Sequence, residues 1–273
     1  MMQKDAPIGV FDSGVGGLTV VREIIRQLPS ENIVYFGDTA RVPYGTKSRD
    51  TIINYSEQIV HFLKTKQVKA IVVACNTATS YALDVLKEKL DIPIIVVVRP
   101  GAVTAVNATR NKRIGIIATE GTVGSGIYPK VIHEYNPEIQ VVQKACPLLV
   151  SLVEEGWTDD PVTDEVARRY LKSLQASEVD TLVLGCTHYP LLRSTLRRLM
   201  GEDVVLVNPA YETAIELKQL LEERGLERDG AEALQGEKYQ FFVSDLAEKF
   251  TSFATSILPN EVKETRKIDI ENY

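Results

Sequence analysis

Two cysteines lie in similar short segments, each after an apolar run and each followed by polar residues. Cys75 belongs to ACNTATS (74–80), and Cys186 belongs to GCTHYPLL (185–192). Two thiols that flank a substrate can remove a proton from one face of a carbon and deliver a proton to the other. One sulfur must then be a thiolate and the other a thiol, and each such group contributes about 10²–10⁴-fold to a rate. An acid–base pair is therefore the first hypothesis for these cysteines.

Packing is the alternative for each cysteine, because a single cysteine after a buried strand is more often a small apolar residue than a catalyst. A helix that begins beside a thiol lowers its pKa, so the positions of Cys75 and Cys186 favour the thiolate. Cys146 has only apolar surroundings in KACPLL and is predicted to be structural. A hydrolase with one cysteine nucleophile and a histidine base would leave the second thiol unexplained.

Two further polar residues lie next to the predicted strand ends. His188 follows Cys186 by two positions and is the only one of three histidines in such a loop, where it either contacts a ligand or caps the next helix. Asp12 precedes Ser13 and Gly14, and either contacts a ligand or caps the turn that they form. Both residues are candidates for the site on position alone.

Motifs for cofactors are incomplete. Gly14 and Gly16 begin a GxGxxG pattern, but its last glycine is replaced by Thr19, and no GxxxxGK[ST] motif is present. We interpret the two glycines as allowing close backbone approach to a small ligand. Pyridoxal phosphate needs a lysine at the site, whereas Lys69 begins its strand at the opposite rim and Lys47 lies past the second loop. The cysteines also lack metal-ligand spacing, so neither a cofactor nor a metal is predicted.

The elements that must position these residues alternate along the chain. Most of the short apolar runs lack a polar alternation, as expected of parallel strands buried on both faces. Amphipathic segments separate them, for example a helix over Ser48–Gln67 with Ser48 as N-cap. This alternation predicts an α/β fold with mainly parallel strands. The predicted strands are Ile8–Phe11, Asn32–Phe36, Lys69–Ala74, Ile92–Val98, Arg113–Ala118, Ile139–Val142, Thr181–Leu184 and Val204–Val207.

An internal similarity divides the chain into two halves. IGVFDSG (8–14) is similar to IGIIATEG (114–121), and the segments that contain Cys75 and Cys186 align at nearly the same offset. We predict two similar α/β domains, residues 1–97 plus 208–273 and residues 98–207, with the site in the cleft between them. The C-terminal part would contain an exposed loop over Leu226–Lys238, a strand at Tyr239–Val243 and a helix at Asp245–Ile257. In such sheets, ligands bind outside the carboxyl ends of the strands.

Composition excludes several classes of protein. The chain has 273 residues, with 31 basic and 37 acidic side chains, which opposes a nucleic-acid backbone as main partner. The longest apolar runs are far shorter than the ~18 residues of a membrane span, and no run of signal-peptide length precedes Asp12. Three scattered cysteines form no disulfide framework. We therefore expect a cytoplasmic protein with reduced thiols and no membrane partner.

Four blocks together resemble bacterial glutamate racemase. They are DSGVGGLTV (12–20), YFGDTARVPYG (35–45), ACNTATS and GCTHYPLL, they occur in the expected order, and the resemblance extends over nearly the whole chain. The resemblance implies a cofactor-independent racemase that interconverts L- and D-glutamate and supplies D-glutamate for peptidoglycan. It also implies two α/β domains, the first completed by the C-terminal segment, and it leaves a homodimer open.

The resemblance also implies roles for particular residues. Cys75 would take the α-proton of D-glutamate and Cys186 that of L-glutamate, with Asp12 and His188 assisting the neighbouring thiols. A further family glutamate follows residues 149–153, where Glu154 and Glu155 both fit. The residues implied to bind the amino and carboxylate groups of the substrate are Asp12, Ser13, Tyr44, Gly45, Asn76, Thr77, Thr187 and His188.

Two other functions stay open on the sequence. One is a racemase for aspartate or another small acidic amino acid, since the residues that would read the side-chain carboxylate cannot be located by spacing. The other is a non-catalytic protein that binds an acidic amino acid and uses its cysteines only for packing.

Overall fold

The computed structural model of the protein describes residues 4–228 and 237–273. In this part of the chain the strands are β1 Ile8–Asp12, β2 Ile33–Gly37, β3 Ala70–Val73, β4 Ile94–Val96, β5 Arg113–Ala118, β6 Gln140–Ala145, β7 Thr181–Gly185, β8 Val205–Val207, β9 Tyr239–Val243 and β10 Thr265–Lys267. The helices are α1 Leu18–Gln27, α2 Arg49–Thr65, α3 Asn76–Lys89, α4 Val98–Ala108, α5 Glu120–Ser125, α6 Ile127–Tyr135, α7 Leu148–Glu154, α8 Pro161–Ala176, α9 Arg193–Met200, α10 Pro209–Glu223 and α11 Ala247–Ile257. Short 3₁₀ helices cover Tyr44–Thr46, Tyr189–Leu192 and Ile270–Asn272.

The strands form two parallel sheets of related topology. The first sheet has the order β10-β9-β2-β1-β3-β4, and the second has the order β6-β5-β7-β8. Every pairing between described strands is parallel. The core orders β2-β1-β3-β4 and β6-β5-β7-β8 match strand for strand, so the predicted α/β fold and its pseudo-symmetry are confirmed. The predicted domain boundaries stay a prediction.

Burial explains why the sequence alternates as it does. Strands β1, β2, β3 and β7 are buried along their whole length. Helices cover both faces of each sheet, so two apolar clusters lie against each sheet. Strand β6 lies at an edge and is only partly buried, which explains its more polar sequence. Cys146 is fully buried in a cluster of the second sheet, as expected of a packing residue.

Most predicted elements are present, with altered ends. The predicted strand Ile92–Val98 is too long, because Val98 already begins α4. The predicted strand Ile139–Val142 is shifted, because its chain continues to pair with β5 as far as Ala145. Ser48 caps α2 as predicted and accepts a hydrogen bond from the N–H of Thr51. Strand β10 was not predicted, since TRK is a short and charged edge segment.

The C-terminal segment returns to the first sheet. Strand β9 covers the predicted residues and pairs with β2, and β10 extends the sheet beyond it. The helix predicted from Asp245 begins at Ala247. Of the loop predicted over Leu226–Lys238, residues 229–236 lie outside the described residues. No helix in the described part of the chain is long and apolar enough to cross a membrane.

Lys69 lies at the amino end of β3, on the rim opposite the cysteines. Its side chain is fully buried and forms an ion pair with Glu31 at 2.5 Å. Its Nζ also donates to the backbone carbonyls of Lys4 and Leu226, at 2.7 and 2.8 Å. Burial lowers the pKa of Lys69. The prediction that Lys69 lies away from the strand ends that carry the chemistry is confirmed.

Candidate active site

The carboxyl ends of β1, β3 and β7 bring the predicted residues to one place between the sheets. Asp12 is the last residue of β1, Cys75 follows β3 and caps α3, and Cys186 directly follows β7. The two thiols are only 5% and 6% exposed, and both border one narrow cavity of about 20 Å³. The residues that line this cavity are Ser13, Val42, Pro43, Tyr44, Gly45, Cys75, Asn76, Thr77, Thr119, Val150, Cys186, Thr187 and His188.

The predicted residues are thus brought together, with one exception. Asp12 does not line the cavity but lies behind it, fully buried. Its Oδ2 accepts hydrogen bonds from the N–H groups of Gly17 at 2.9 Å and Gly14 at 3.2 Å. Its Oδ1 accepts from the hydroxyl of Thr187 at 3.3 Å. Burial is the largest influence and raises the pKa of Asp12, although His188 and these hydrogen bonds lower it. Asp12 therefore caps the turn after β1 and ties it to the second sheet.

Cys75 has surroundings that oppose the thiolate. Its Sγ accepts a hydrogen bond from the N–H of Ala78 at 3.4 Å and lies 3.8 Å from the hydroxyl of Ser13. Burial, followed by the charge of Asp12, raises the pKa of Cys75 to about 12. The prediction that the start of α3 would favour its thiolate is wrong, because removal from water outweighs the helix N-terminus.

Cys186 lies beside a histidine instead of a carboxylate. Its Sγ is 3.7 Å from Nδ1 of His188, and Nε2 of the same ring is 3.1 Å from Oε1 of Glu154. Burial lowers the pKa of His188, but the hydrogen bonds with Cys186 and Glu154 outweigh it and raise the pKa to about 10. These contacts favour the protonated, positively charged form of His188 at neutral pH. The α-helix predicted to open beside Cys186 is a 3₁₀ helix that begins at Tyr189.

The two candidate glutamates differ clearly in position. Glu154, the last residue of α7, contacts His188 as described, whereas Glu155 is exposed and pairs with Lys249 at 3.4 Å. Because consecutive helical residues point in different directions, only one of the pair can reach the histidine. The alternative that the sequence left open is therefore resolved in favour of Glu154 as the contact of His188.

The glycines after β1 serve contacts within the protein. A Cβ built on Gly16 would lie 2.3 Å from the hydroxyl oxygen of Thr187 and 2.6 Å from Nδ1 of His188. One on Gly14 would make only ordinary contacts, the nearest at 3.5 Å. The interpretation that both glycines allow approach of a ligand is wrong for Gly16. The side chains that lie close to Gly16 are Thr187 and His188, in the loop after β7.

Tyr44 and Gly45 form one wall of the cavity. The hydroxyl of Tyr44 donates to the buried carboxylate of Asp38, which also accepts from Ser244 at 2.8 Å. Gly45 lies against Thr119 of the second half, so closely that a Cβ would be 2.6 Å from the Cβ of Thr119. The two halves are therefore in contact along this wall.

Threonine hydroxyls join the two halves beside the cavity. Thr77 Oγ1 lies 2.9 Å from Thr119 Oγ1 and 3.3 Å from Thr122 Oγ1. Thr119 also caps α5 by accepting from the N–H of Thr122 at 3.2 Å. These hydroxyls can donate to a carboxylate that enters the cavity between Thr77 and Thr119.

Several lining residues were not predicted as site residues. Val42 and Val150 are apolar and carry no chemical signal in a sequence. Thr119 follows β5 at its carboxyl end, and that position was a usable signal. No lysine is among the described residues that line the cavity. The site thus offers two thiols, hydroxyl and amide donors, and a charged histidine, a set suited to moving protons at a small anionic substrate.

Comparison with known proteins agrees with this fold. Residues 8–215 match the model of the Asp/Glu/hydantoin racemase family. A glutamate racemase of Geobacter metallireducens is 49% identical over 264 residues, which is 97% of each chain. The crystal structure of a Bacillus anthracis glutamate racemase is similar with a TM-score of 0.93 and 42% identity, covering 98% of each chain. The crystal structure of the Francisella tularensis glutamate racemase in complex with D-glutamate is similar with a TM-score of 0.91 and 38% identity. The match covers 99% of this chain and 100% of that chain.

Two parallel α/β sheets that close on a cavity with paired cysteines define an amino-acid racemase, an enzyme of the isomerase class. The chain belongs to the Asp/Glu/hydantoin racemase family, and its close relatives there are glutamate racemases. The resemblance to bacterial glutamate racemase is confirmed. The alternative of a non-catalytic binding protein is wrong.

Proposed function

We propose that this racemase interconverts L- and D-glutamate by moving protons between Cα and the thiols of Cys75 and Cys186. The observation that carries the proposal is the placement of the thiols. They follow the corresponding strands β3 and β7, one in each sheet, and border the same cavity. A carbon held between them presents opposite faces to the two sulfurs. The D-glutamate bound to the Francisella tularensis relative supports glutamate as the substrate.

The two thiols have complementary roles in this scheme. For L-glutamate, the Cys186 thiolate takes the α-proton, and the Cys75 thiol delivers its proton to the other face of the carbanion. For D-glutamate the roles exchange. The raised pKa of Cys75 keeps it in the thiol form, the form that the reaction of L-glutamate requires of it. Protonated His188 places a positive charge beside Cys186, and Glu154 holds that ring in place.

Stabilisation of the carbanion is the main demand on the site, because an α-proton beside a carboxylate is very weakly acidic. The amide of Asn76 and the hydroxyls of Ser13, Thr77 and Thr187 border the cavity. Helix α3, 14 residues long, begins at Asn76 and directs its N-terminus toward the same space. Fixed donors of this kind stabilise developing charge without reorganisation, and loss of one costs about 10²–10³-fold in well-studied sites. No cofactor is needed in this scheme.

Asp12 acts indirectly in this scheme. It holds the turn that carries Ser13 and orients the hydroxyl of Thr187, so it shapes the binding surface for the amino and carboxylate groups. Tyr44 and Gly45 supply the wall next to Thr119. We further propose that the D-glutamate product supplies peptidoglycan synthesis, a point that rests on the family resemblance alone.

Entry of substrate requires the halves to separate. A cavity of about 20 Å³ has room for roughly one water molecule, far less than an amino acid needs. The contacts between Thr77 and Thr119 and between Gly45 and Thr119 therefore have to open and close again around the substrate. Closure excludes water and strengthens the electrostatic interactions of the site.

Incubation of the enzyme with L- or D-glutamate in heavy water tests the proposal. Proton NMR should show loss of the α-proton signal from both enantiomers, and a chiral assay should show each converting to the other. Aspartate, one methylene shorter, is the control substrate. Absence of exchange with glutamate would contradict the proposal, and exchange with aspartate alone would favour the aspartate alternative.

A further inference from the structure

Tyr128 connects the segments that carry the two cysteines. It lies near the start of α6, and its side chain is completely buried. Its hydroxyl donates to Oδ1 of Asn76, the residue after Cys75, at 2.7 Å. Its ring lies against Gly185, the residue before Cys186, where an added Cβ would be 3.1 Å from Cε2 of the ring. One side chain of the second half therefore contacts both strand ends that carry a thiol.

The hydrogen bond fixes which way the Asn76 amide faces. Asn76 is the only hydrogen-bond partner of the Tyr128 hydroxyl within residues 4–228 and 237–273. A buried phenol needs an acceptor for its proton, so the amide oxygen must face Tyr128. If the amide were reversed, its N–H₂ group would face the phenol, and the phenolic proton would lack an acceptor. Burial, followed by Cys186, raises the pKa of Tyr128, so the hydroxyl keeps its proton.

The other end of the amide then points away from Tyr128. Asn76 borders the cavity, and its Nδ2 makes no hydrogen bond to any described residue. An N–H₂ group has two donors and no acceptor, so it can bind a carboxylate but not an ammonium group. The unused donors of Asn76 therefore match a carboxylate of the substrate.

We propose that Tyr128 is a positioning residue, which holds the Asn76 amide so that its N–H₂ group donates to the α-carboxylate of the substrate. This inference rests on the proposed function, because it assumes a glutamate whose Cα lies between the two thiols. Negative charge grows on the α-carboxylate as the α-proton leaves, so the hydrogen bond strengthens in the transition state. Tyr128 touches neither the substrate nor a thiol through its hydroxyl and acts through Asn76.

Tyr128→Phe tests this role, since it removes the hydroxyl and keeps the ring against Gly185. We expect kcat/KM to fall about tenfold, the size of one hydrogen bond of about 1.4 kcal/mol, with most of the loss in kcat. Tyr81→Phe is the matched control. The Tyr81 hydroxyl joins α3 to the carbonyl of Gly121 across the same two halves at 2.9 Å and does not contact Asn76. It should keep kcat/KM within about twofold.

A double-variant cycle separates positioning from a structural effect. Tyr128→Phe should cause no further loss in an Asn76→Ala background, measured as deuterium exchange at Cα so that slow variants stay detectable. Independent, additive losses would overturn the proposal, as would equal losses in Tyr128→Phe and Tyr81→Phe. A wild-type enzyme inactive on glutamate would refute the proposed function instead. An active wild type with an unimpaired Tyr128→Phe variant would refute this inference alone.

Discussion

Cys75 and Cys186 border the same cavity but have different electrostatic surroundings. The sulfur of Cys75 faces the hydroxyl of Ser13, with buried Asp12 nearby, and its pKa is raised to about 12. The sulfur of Cys186 faces protonated His188. Both thiols are almost equally buried. Their surroundings therefore differ in the charge of the neighbouring side chain and not in exposure to solvent. This difference allows one thiol to hold a proton while the other accepts one, as a racemisation step requires.

Removal of either cavity thiol should abolish racemisation in both directions, because each direction uses one thiol as base and the other as acid. We expect Cys75→Ala and Cys186→Ala each to lose at least about 10²–10⁴-fold in kcat. Cys146→Ala is the control, since Cys146 packs in the core and does not border the cavity. It should keep most activity and lose about 1 kcal/mol of stability. Equal inactivation in all three variants, assayed by circular dichroism of glutamate, would contradict the assignment.

The proton on His188 should set an alkaline limit to activity. Its pKa of about 10 lies above the ordinary value of 6.5, so the stability it contributes is complete below pH 6.5 and is lost as pH rises through 10. We expect kcat/KM to decline over the same upper range. Glu154→Gln removes one of the contacts that raise this pKa, so the decline should begin at lower pH.

Glu155→Gln is the matched control for that pH profile. Glu155 is adjacent in sequence but exposed and paired with Lys249, so its loss should leave the alkaline limit in place. Identical profiles for the two glutamine variants would show that Glu154 does not act on His188.

Residues of the site were predictable where they follow a strand, and unpredictable where they lie within a helix and reach the site only through packing. Asp12, Cys75 and Cys186 follow β1, β3 and β7, and the topology of parallel sheets brings such positions together. Tyr128 lies on a helix of the other half, and its contact with Asn76 depends on how the halves pack. The pKa of Cys75 was mispredicted for a similar reason, because local helix position is visible in a sequence and burial is not.

At the scale of elements, the start of α5 is the part of the second half that closes the cavity wall. Thr119 caps this helix, contacts Thr77 of α3 and lies against Gly45. The strands themselves were predictable from runs such as Ile8–Phe11 and Arg113–Ala118, which are largely apolar because both faces of the sheet are covered. Their order within the sheets is not visible in such runs. Edge strand β10 was missed because it has no such covering.

Gly45→Ala should disturb this wall, since the new Cβ would lie 2.6 Å from Cβ of Thr119, which is not a flexible side-chain end. We expect the 3₁₀ turn or α5 to shift, KM for glutamate to rise about tenfold and stability to fall by about 1–3 kcal/mol. Gly124→Ala, in α5 itself, is the control, because nothing lies within 4 Å of its added Cβ. It should retain normal KM and gain about 0.5–1 kcal/mol. A normal KM in Gly45→Ala would show that the cavity wall can shift without affecting substrate binding.

At the scale of the whole molecule, the two rims of the first sheet have separate roles, one in the chemistry of the site and the other in stability. The carboxyl rim carries Cys75 and the turn after Asp12. The amino rim carries the buried ion pair of Lys69 and Glu31, which ties β3 to the chain at Lys4 and Leu226. Stability can therefore be changed at one rim without direct contact with the chemistry at the other.

Lys69→Met tests that separation. The substitution keeps an unbranched side chain but leaves the carboxylate of Glu31 buried without its cation. Breaking one partner of a buried pair costs about 3–5 kcal/mol, so urea unfolding should show a loss of that order, while kcat of the folded enzyme stays near the wild-type value. Adding Glu31→Gln removes the stranded charge and keeps an acceptor for the N–H of Arg228, so it should recover most of the loss. A large fall in kcat in folded Lys69→Met would mean that the amino rim influences the site through the sheet.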